Sequence, residues 1–291
     1  MIKNQTKGRL INVDHGHGIN RQVWSKQKMN KKAQIPLLSN KDYSSPSVFL
    51  PENLLREARR QKLIPECNVP EIVVLDPDGD LVDFLQKSNN CKLNKCWACY
   101  HSKLYNFNIG GVVVGIVPCI VGASYAVLIA EQLFVSGCQY LISVTSAGII
   151  NNPVTLKRFA LITEAIRDEG TSHHYLPPES LSRISPALYH KLKPAFSDPM
   201  IPYFEATSWT TDAPYRETQG AITAMKNKNV CCVEMEAAAL YAFAEAKKKN
   251  VICLAHLTNT MAQQEGDFEK GEQFGSLDTM DLLRYLLNQI I

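Results

Sequence analysis

Short apolar runs separated by glycine-bearing turns set the frame of this chain. Residues 71–75 (Glu-Ile-Val-Val-Leu) read as a buried strand, followed by Asp76-Pro77-Asp78-Gly79-Asp80, a turn by composition, and a short helix around 81–85. Asn108-Ile109-Gly110-Gly111 predicts a hairpin turn into a continuous apolar strand over 112–118. Gly122-Ala123-Ser124 then opens a helix to Val135, and 140–144 is another buried strand, after which Thr145-Ser146-Ala147-Gly148 reads as a turn. Strand, helix, strand in this order is a βαβ unit, so a mostly parallel sheet covered by helices is expected. Further strands are expected at 159–166, 200–204 and 251–257, and helices at 47–62, 183–196, 217–228, 233–249 and 277–291.

With 291 residues and 45% hydrophobic composition, the chain can build one sizeable α/β core. The apolar stretch 112–135 is broken by Gly, Pro, Ser and Glu131-Gln132, so it does not read as a membrane span. No apolar signal-peptide core is seen near Met1, and a soluble, cytoplasmic protein is expected. The nine cysteines are an odd number scattered through apolar segments, which suits reduced core thiols. Charge is uneven: residues 1–41 hold nine Lys or Arg against the single acid Asp14. Residues 1–45 are therefore read as a flexible basic arm and 46–291 as the α/β domain, with neither nucleic acid nor membrane expected as partner. His15 and His17 in the arm are a weak metal signal. Cys96-Trp97-Ala98-Cys99, flanked by Cys91 and His101, has zinc-type ligands, but its tight spacing favours a strand pair with incidental thiols, and no metal is expected.

The chemistry gathers around Val233-Glu234-Met235-Glu236-Ala237-Ala238. A β-prone run precedes these carboxylates and an alanine-rich helix follows, so both fall at a helix N-terminus, where free N–H groups help them stay ionised. Glu-Met-Glu-Ala-Ala resembles the sugar-binding signature of the purine and uridine phosphorylase family. That resemblance makes Glu236 the carboxylate gripping the ribose hydroxyls, Met235 the floor beneath the sugar, and Glu234 a further ribose contact.

The resemblance covers roughly residues 70–291 and recurs at separate places. Ser143 to Gly148 is similar to the family's strand leading into a hydroxyl-bearing turn. It implies phosphate contacts at Thr145 and Ser146 and base contacts at Ala147 and Gly148. Gly122-Ala123-Ser124 with Glu131-Gln132-Leu133 is similar to the Gly-x-Pro-Ser helix with its Glu-Glu-Leu, and 168–175 resembles the Asp-Gly-x-Ser-x-His loop of the uridine branch. Thr210-Thr211-Asp212-Ala213-Pro214-Tyr215 stands where the family has Ser-x-Asp-x-Phe-Tyr, which puts Asp212, Tyr215 and Arg216 at the base. Asn259 to Glu265 resembles the uridine-type Asn-Arg-Thr-Gln-Gln-Glu, with an extra residue and no Arg. The implied fold is a single three-layer αβα domain with a mixed, mostly parallel central sheet. The implied assembly is a homo-oligomer that needs no cofactor beyond inorganic phosphate as co-substrate.

The implied reaction is attack of phosphate on the anomeric carbon of a nucleoside, releasing free base and a pentose 1-phosphate, with Glu236 and Asn259 as the catalytic pair. Purine-specific relatives carry an acid at the position matched by Asn259, and an amide cannot give up a proton. The phosphate side departs further: Asp80 and Ser143 stand where the family has arginines, removing two fork-shaped donors. Arg167 and Arg216 are spare cations able to compensate, though each reads better as an ordinary surface or salt-bridge arginine. Three readings stay open: a phosphorylase with a rebuilt phosphate site, a hydrolytic nucleosidase, and a silent nucleoside-binding homologue.

Overall fold

A computed structural model of the chain describes residues 35–151, 158–193, 203–260 and 265–291. His15, His17 and most of the basic arm lie outside them, as do parts of the expected helix at 183–196 and strand at 200–204. Asn40–Ile291 forms one compact unit.

The first helix, α1 (Pro51–Lys62), starts with proline at its first position, where a missing N–H costs nothing. Strand β1 (Ile72–Asp76) is buried along its whole length and is followed by α2 (Asp80–Lys87). The strand pair β2 (Cys91–Leu93) and β3 (Tyr105–Ile109) is antiparallel, and β3 turns through Gly110-Gly111 into β4 (Val112–Pro118), as the sequence pattern predicts. Helix α3 (Ala123–Val135) leads to β5 (Tyr140–Ile149), and the two strands flanking this helix lie parallel on either side of β1.

The expected turn at Thr145–Gly148 is absent. Strand β5 runs on to Ile149 because it has partners on both sides: β10 (Asn250–Asn259) pairs with it in parallel, and β9 (Cys232–Glu234) takes its last two residues antiparallel. The chain between them supplies β6 (Phe159–Asp168), β7 (Leu181–Arg183), α4 (Pro186–Leu192), β8 (Tyr203–Thr211) and α5 (Gln219–Asn227). Strands β5, β10, β6, β8 and β9 each pair with the next, and β9 returns to β5, so the pairing closes on itself.

The expected helix at 233–249 is a short strand, β9, followed by α6 (Ala237–Lys247), whose residues 237–244 are all buried. A helix apolar all round belongs in the interior. It touches α3, and α3 touches α1; on another side α7 (Ser276–Ile290) touches α2 and α4. The result is a mixed sheet between helical layers. Among the described residues no helix is long and apolar enough to cross a membrane.

The thiols depart from expectation. Cys96 is bonded to Cys67, which lies outside the CxxC stretch, while Cys99 is buried and free. Among the described residues, no group of three or more His, Cys, Asp or Glu could hold a metal ion.

Candidate active site

In sheets of this kind ligands gather beyond the carboxyl ends of the strands. The ends of β1, β5, β9 and β10 converge here, and each carries polar side chains.

Glu234 ends β9 and is fully engaged by the protein. One oxygen accepts the N–H groups of Glu236 and Ala237, both at 2.7 Å; the other accepts the hydroxyls of Ser208, at 3.0 Å, and Thr210. Thr210 Oγ1 in turn accepts the Ala238 N–H at 2.9 Å. The first turn of α6 is thus capped by a side chain from the strand before it. With four donors on its two oxygens, Glu234 has no lone pair left for a ribose hydroxyl, so its expected role as a sugar contact gives way to a structural one.

Glu236 is different. It is 1% exposed, and its Oε1 accepts the Gly122 N–H at 2.7 Å while Oε2 accepts the Thr145 hydroxyl at 3.0 Å. With a backbone hydrogen bond from Met235 as well, Glu236 still has fewer donors than Glu234 and keeps acceptor capacity. Gly122 reaches it with φ 94°, a conformation that disfavours any residue with a Cβ. Burial, reinforced by the charge of Glu234, pushes the Glu236 carboxyl up to about 8. The helix start does not keep this pair readily ionised: Glu234 is raised as well, again mainly by burial. Met235 between them is half-buried, with no hydrogen bond to satisfy.

The corner beside Thr145 is acidic. Ser146 donates its hydroxyl to Asp78, and Lys270 Nζ lies 3.0 Å from Asp78 Oδ2 and 2.5 Å from Asp80 Oδ2. Asp76 is buried behind them; burial is the main force raising its carboxyl to about 7, with Asp78 and Asp80 adding to it. A pocket here is lined by Asp76, Asp78, Asp80, Ser146, His256 and Lys270, among others. His256 stands in register with Ser146 across β5 and β10, stacks on Phe159 with ring centroids 4.6 Å apart, and has no partner for Nε2 among the described residues. Burial depresses its pKa to about 4, so the ring is neutral. Gly275 makes room for that ring: a Cβ there would lie 2.3 Å from His256 Cε1.

Ser143, matched to a family arginine, is 1% exposed, packed in β5 between Leu75 and Cys253 of the neighbouring strands. No guanidinium could be placed there without breaking the core. Arg167 is no spare cation either, since it donates to Ser172, Leu176 and Pro177 and so shapes the 172–177 loop.

Where the sequence leads one to expect the base, Asn259 ends β10 opposite Gly148, and its amide donates to Thr258 Oγ1 at 3.0 Å; Ala147 is buried behind them. Asp212 accepts the Gly170 N–H at 2.8 Å and ties two loops together. Tyr215 is 99% exposed and Arg216 is exposed beside it, so neither walls a cavity within this chain. The sequence reading missed Lys270 altogether.

Residues 71–288 match the family model described as the phosphorylase superfamily. Among solved structures, the fold is similar to that of uridine phosphorylase from Vibrio fischeri ES114, with a TM-score of 0.63 and 18% identity over 79% of this chain and 97% of that one. It is also similar to purine nucleoside phosphorylase from Toxoplasma gondii in complex with immucillin-H, with a TM-score of 0.62 and 17% identity over 76% and 90% of the two chains.

Proposed function

This chain belongs to the phosphorylase superfamily, and from that premise we propose that it is a hydrolytic nucleosidase, cleaving the N-glycosidic bond of a nucleoside with water in place of phosphate. The observation that carries this reading is the corner where phosphate would sit: Asp78 and Asp80 occupy it, and the cation present there, Lys270, is engaged by both. A phosphate dianion would meet carboxylates and would have to compete for that ammonium.

In this reading the ribose lies over Met235, its hydroxyls donate to the remaining lone pairs of Glu236, and the base rests against Gly148 and Asn259. Water sits at the acidic corner beside Ser146. Asp78 takes its proton as the oxygen bonds to the anomeric carbon, and the bonding pair leaves with the base. Positive charge developing on the sugar faces Glu236, and the Asn259 amide donates a hydrogen bond to the departing base.

The test is a nucleoside panel assayed with and without inorganic phosphate. Free base and free ribose should appear without phosphate, at a rate that added phosphate does not raise. Pentose 1-phosphate formed in proportion to phosphate would overturn the proposal.

A further inference from the structure

Asn259 ends β10 in register with Gly148 of β5, so an amide stands at the base side of the site. An amide donates a hydrogen bond but has no proton to transfer at any working pH. The opposite side is crowded with carboxylates: Asp76, Asp78 and Asp80 line one pocket, and Glu236 hangs from Thr145 at its edge. Against them, among the described residues lining that pocket, stands one cation, Lys270. His256, 5% exposed, lines the same pocket, and among the described residues its Nε2 has no hydrogen-bond partner.

We infer that the substrates are N-ribosides whose base already carries a positive charge, an inference that rests on the hydrolytic reading above. Two facts about leaving groups carry it. A neutral purine departs as an anion unless an acid protonates it, and a uracil-type base departs as an anion; the Asn259 amide can donate a hydrogen bond to either but protonates neither. A cationic base departs neutral. Water oxygen forms the bond to the anomeric carbon, the carbon–nitrogen bond breaks with its electron pair passing to the ring nitrogen, and one water proton goes to Asp78 and on to solvent. No proton is needed on the base.

The field of the site runs the same way. Acids attract the cationic substrate, and as the bond breaks its charge moves from base to sugar, toward Glu236. The upward shifts of Asp76 and Glu236, to about 7 and about 8, come mainly from burial and then from neighbouring carboxylates, and a cation placed beside them favours their ionised forms.

The experiment compares matched pairs in phosphate-free buffer: N7-methylguanosine against guanosine, and nicotinamide riboside against its reduced, uncharged form. Each rate is divided by that of the uncatalysed reaction, and KM is measured separately from kcat. The cationic member of each pair should show the lower KM and a kcat/KM at least about 100-fold higher, the low end of what a general acid contributes. Asn259→Asp, which restores an acid, should narrow the gap by raising guanosine cleavage. If neutral nucleosides are hydrolysed as well as charged ones, the charge inference is overturned and the hydrolytic reading stands. If the charged ones are preferred but cleaved only with phosphate, the hydrolytic reading falls and the charge inference stands. No cleavage of either class, with or without phosphate, overturns both.

Discussion

Thr145 donates its hydroxyl to Glu236 across 3.0 Å, joining residues 91 positions apart and coupling the second half of β5 to the start of α6. That bond favours the ionised carboxylate against the burial that opposes it. Thr145→Val removes the donor and keeps the shape. If sugar binding needs ionised Glu236, activity rises with pH through about 8 in the wild type. The variant's inflection should move to higher pH, with about a 10-fold loss at neutrality, as befits one charge-assisted bond. A kcat/KM profile against pH measures both; an unmoved inflection would remove Thr145 from this role.

Glu234 accepts four protein donors, so its loss should register in folding before catalysis. Glu234→Ala leaves those donors buried and is expected to cost on the order of 3–5 kcal/mol, whereas Glu234→Gln should cost much less because its carbonyl still accepts. Urea denaturation of both variants gives the comparison. A stable alanine variant with a raised KM would return Glu234 to the sugar.

Stability should fall as pH rises from 6.5 to 8. Asp76 and Glu236 have folded values raised from 3.8 and 4.5 to about 7 and about 8. The folded state therefore binds more protons than the unfolded chain in this window. The stabilisation, full below the unfolded values, is lost as pH climbs through the folded ones. His256 has the opposite sign: lowered from 6.5 to about 4, it contributes above 6.5 and loses that contribution as pH falls through about 4. Above 6.5 the carboxyls therefore act alone among these three, each with a slope of at most about 1.4 kcal/mol per pH unit. Melting temperatures of wild type and Glu236→Gln across this range test it, and the variant's curve should be flatter.

The Cys67–Cys96 bond closes a loop with a sequence separation of 29. Chain-entropy arguments assign such a loop about 3.5 kcal/mol. The double variant Cys67→Ser with Cys96→Ser should lose stability of that order while retaining the proposed nucleoside cleavage, since neither cysteine lines the pocket at the strand ends. Equal denaturation midpoints would show that the bond contributes nothing in solution.

The strands and helices that carry β1, β4, α3 and β5 were legible because their residues are continuously apolar and bounded by Gly or Pro. Glu236 was legible because its helix start is marked on both sides. Strand β9 showed only as a β-prone run before the carboxylates, because three residues are too few to set its bounds against the alanines that follow. The extension of β5 through Ser146-Ala147-Gly148 was hidden for a different reason: small residues suit a turn, and only pairing with β10 and β9 decides for strand. Lys270 lies 190 positions from Asp80 and looks like any other lysine; its place is set by how the chain returns past Thr258, where Glu269 N–H donates to the Thr258 carbonyl. The divergent roles of the two glutamates could not be read from their spacing, because Ser208 and Thr210, which engage the first, come from β8.

Strand β10 lies between β5 and β6 and completes the ring that those strands share with β8 and β9. It is also the last of the described strands in chain order. Residues 140–259 must therefore all be synthesised before β5 acquires this neighbour, and β5 until then offers an unpaired apolar edge to whatever surrounds the nascent chain. Closure of so long a loop is slow by its topology. The candidate site thus cannot assemble until the chain has been made past Asn259, and truncation anywhere before it removes the strand that seals the sheet.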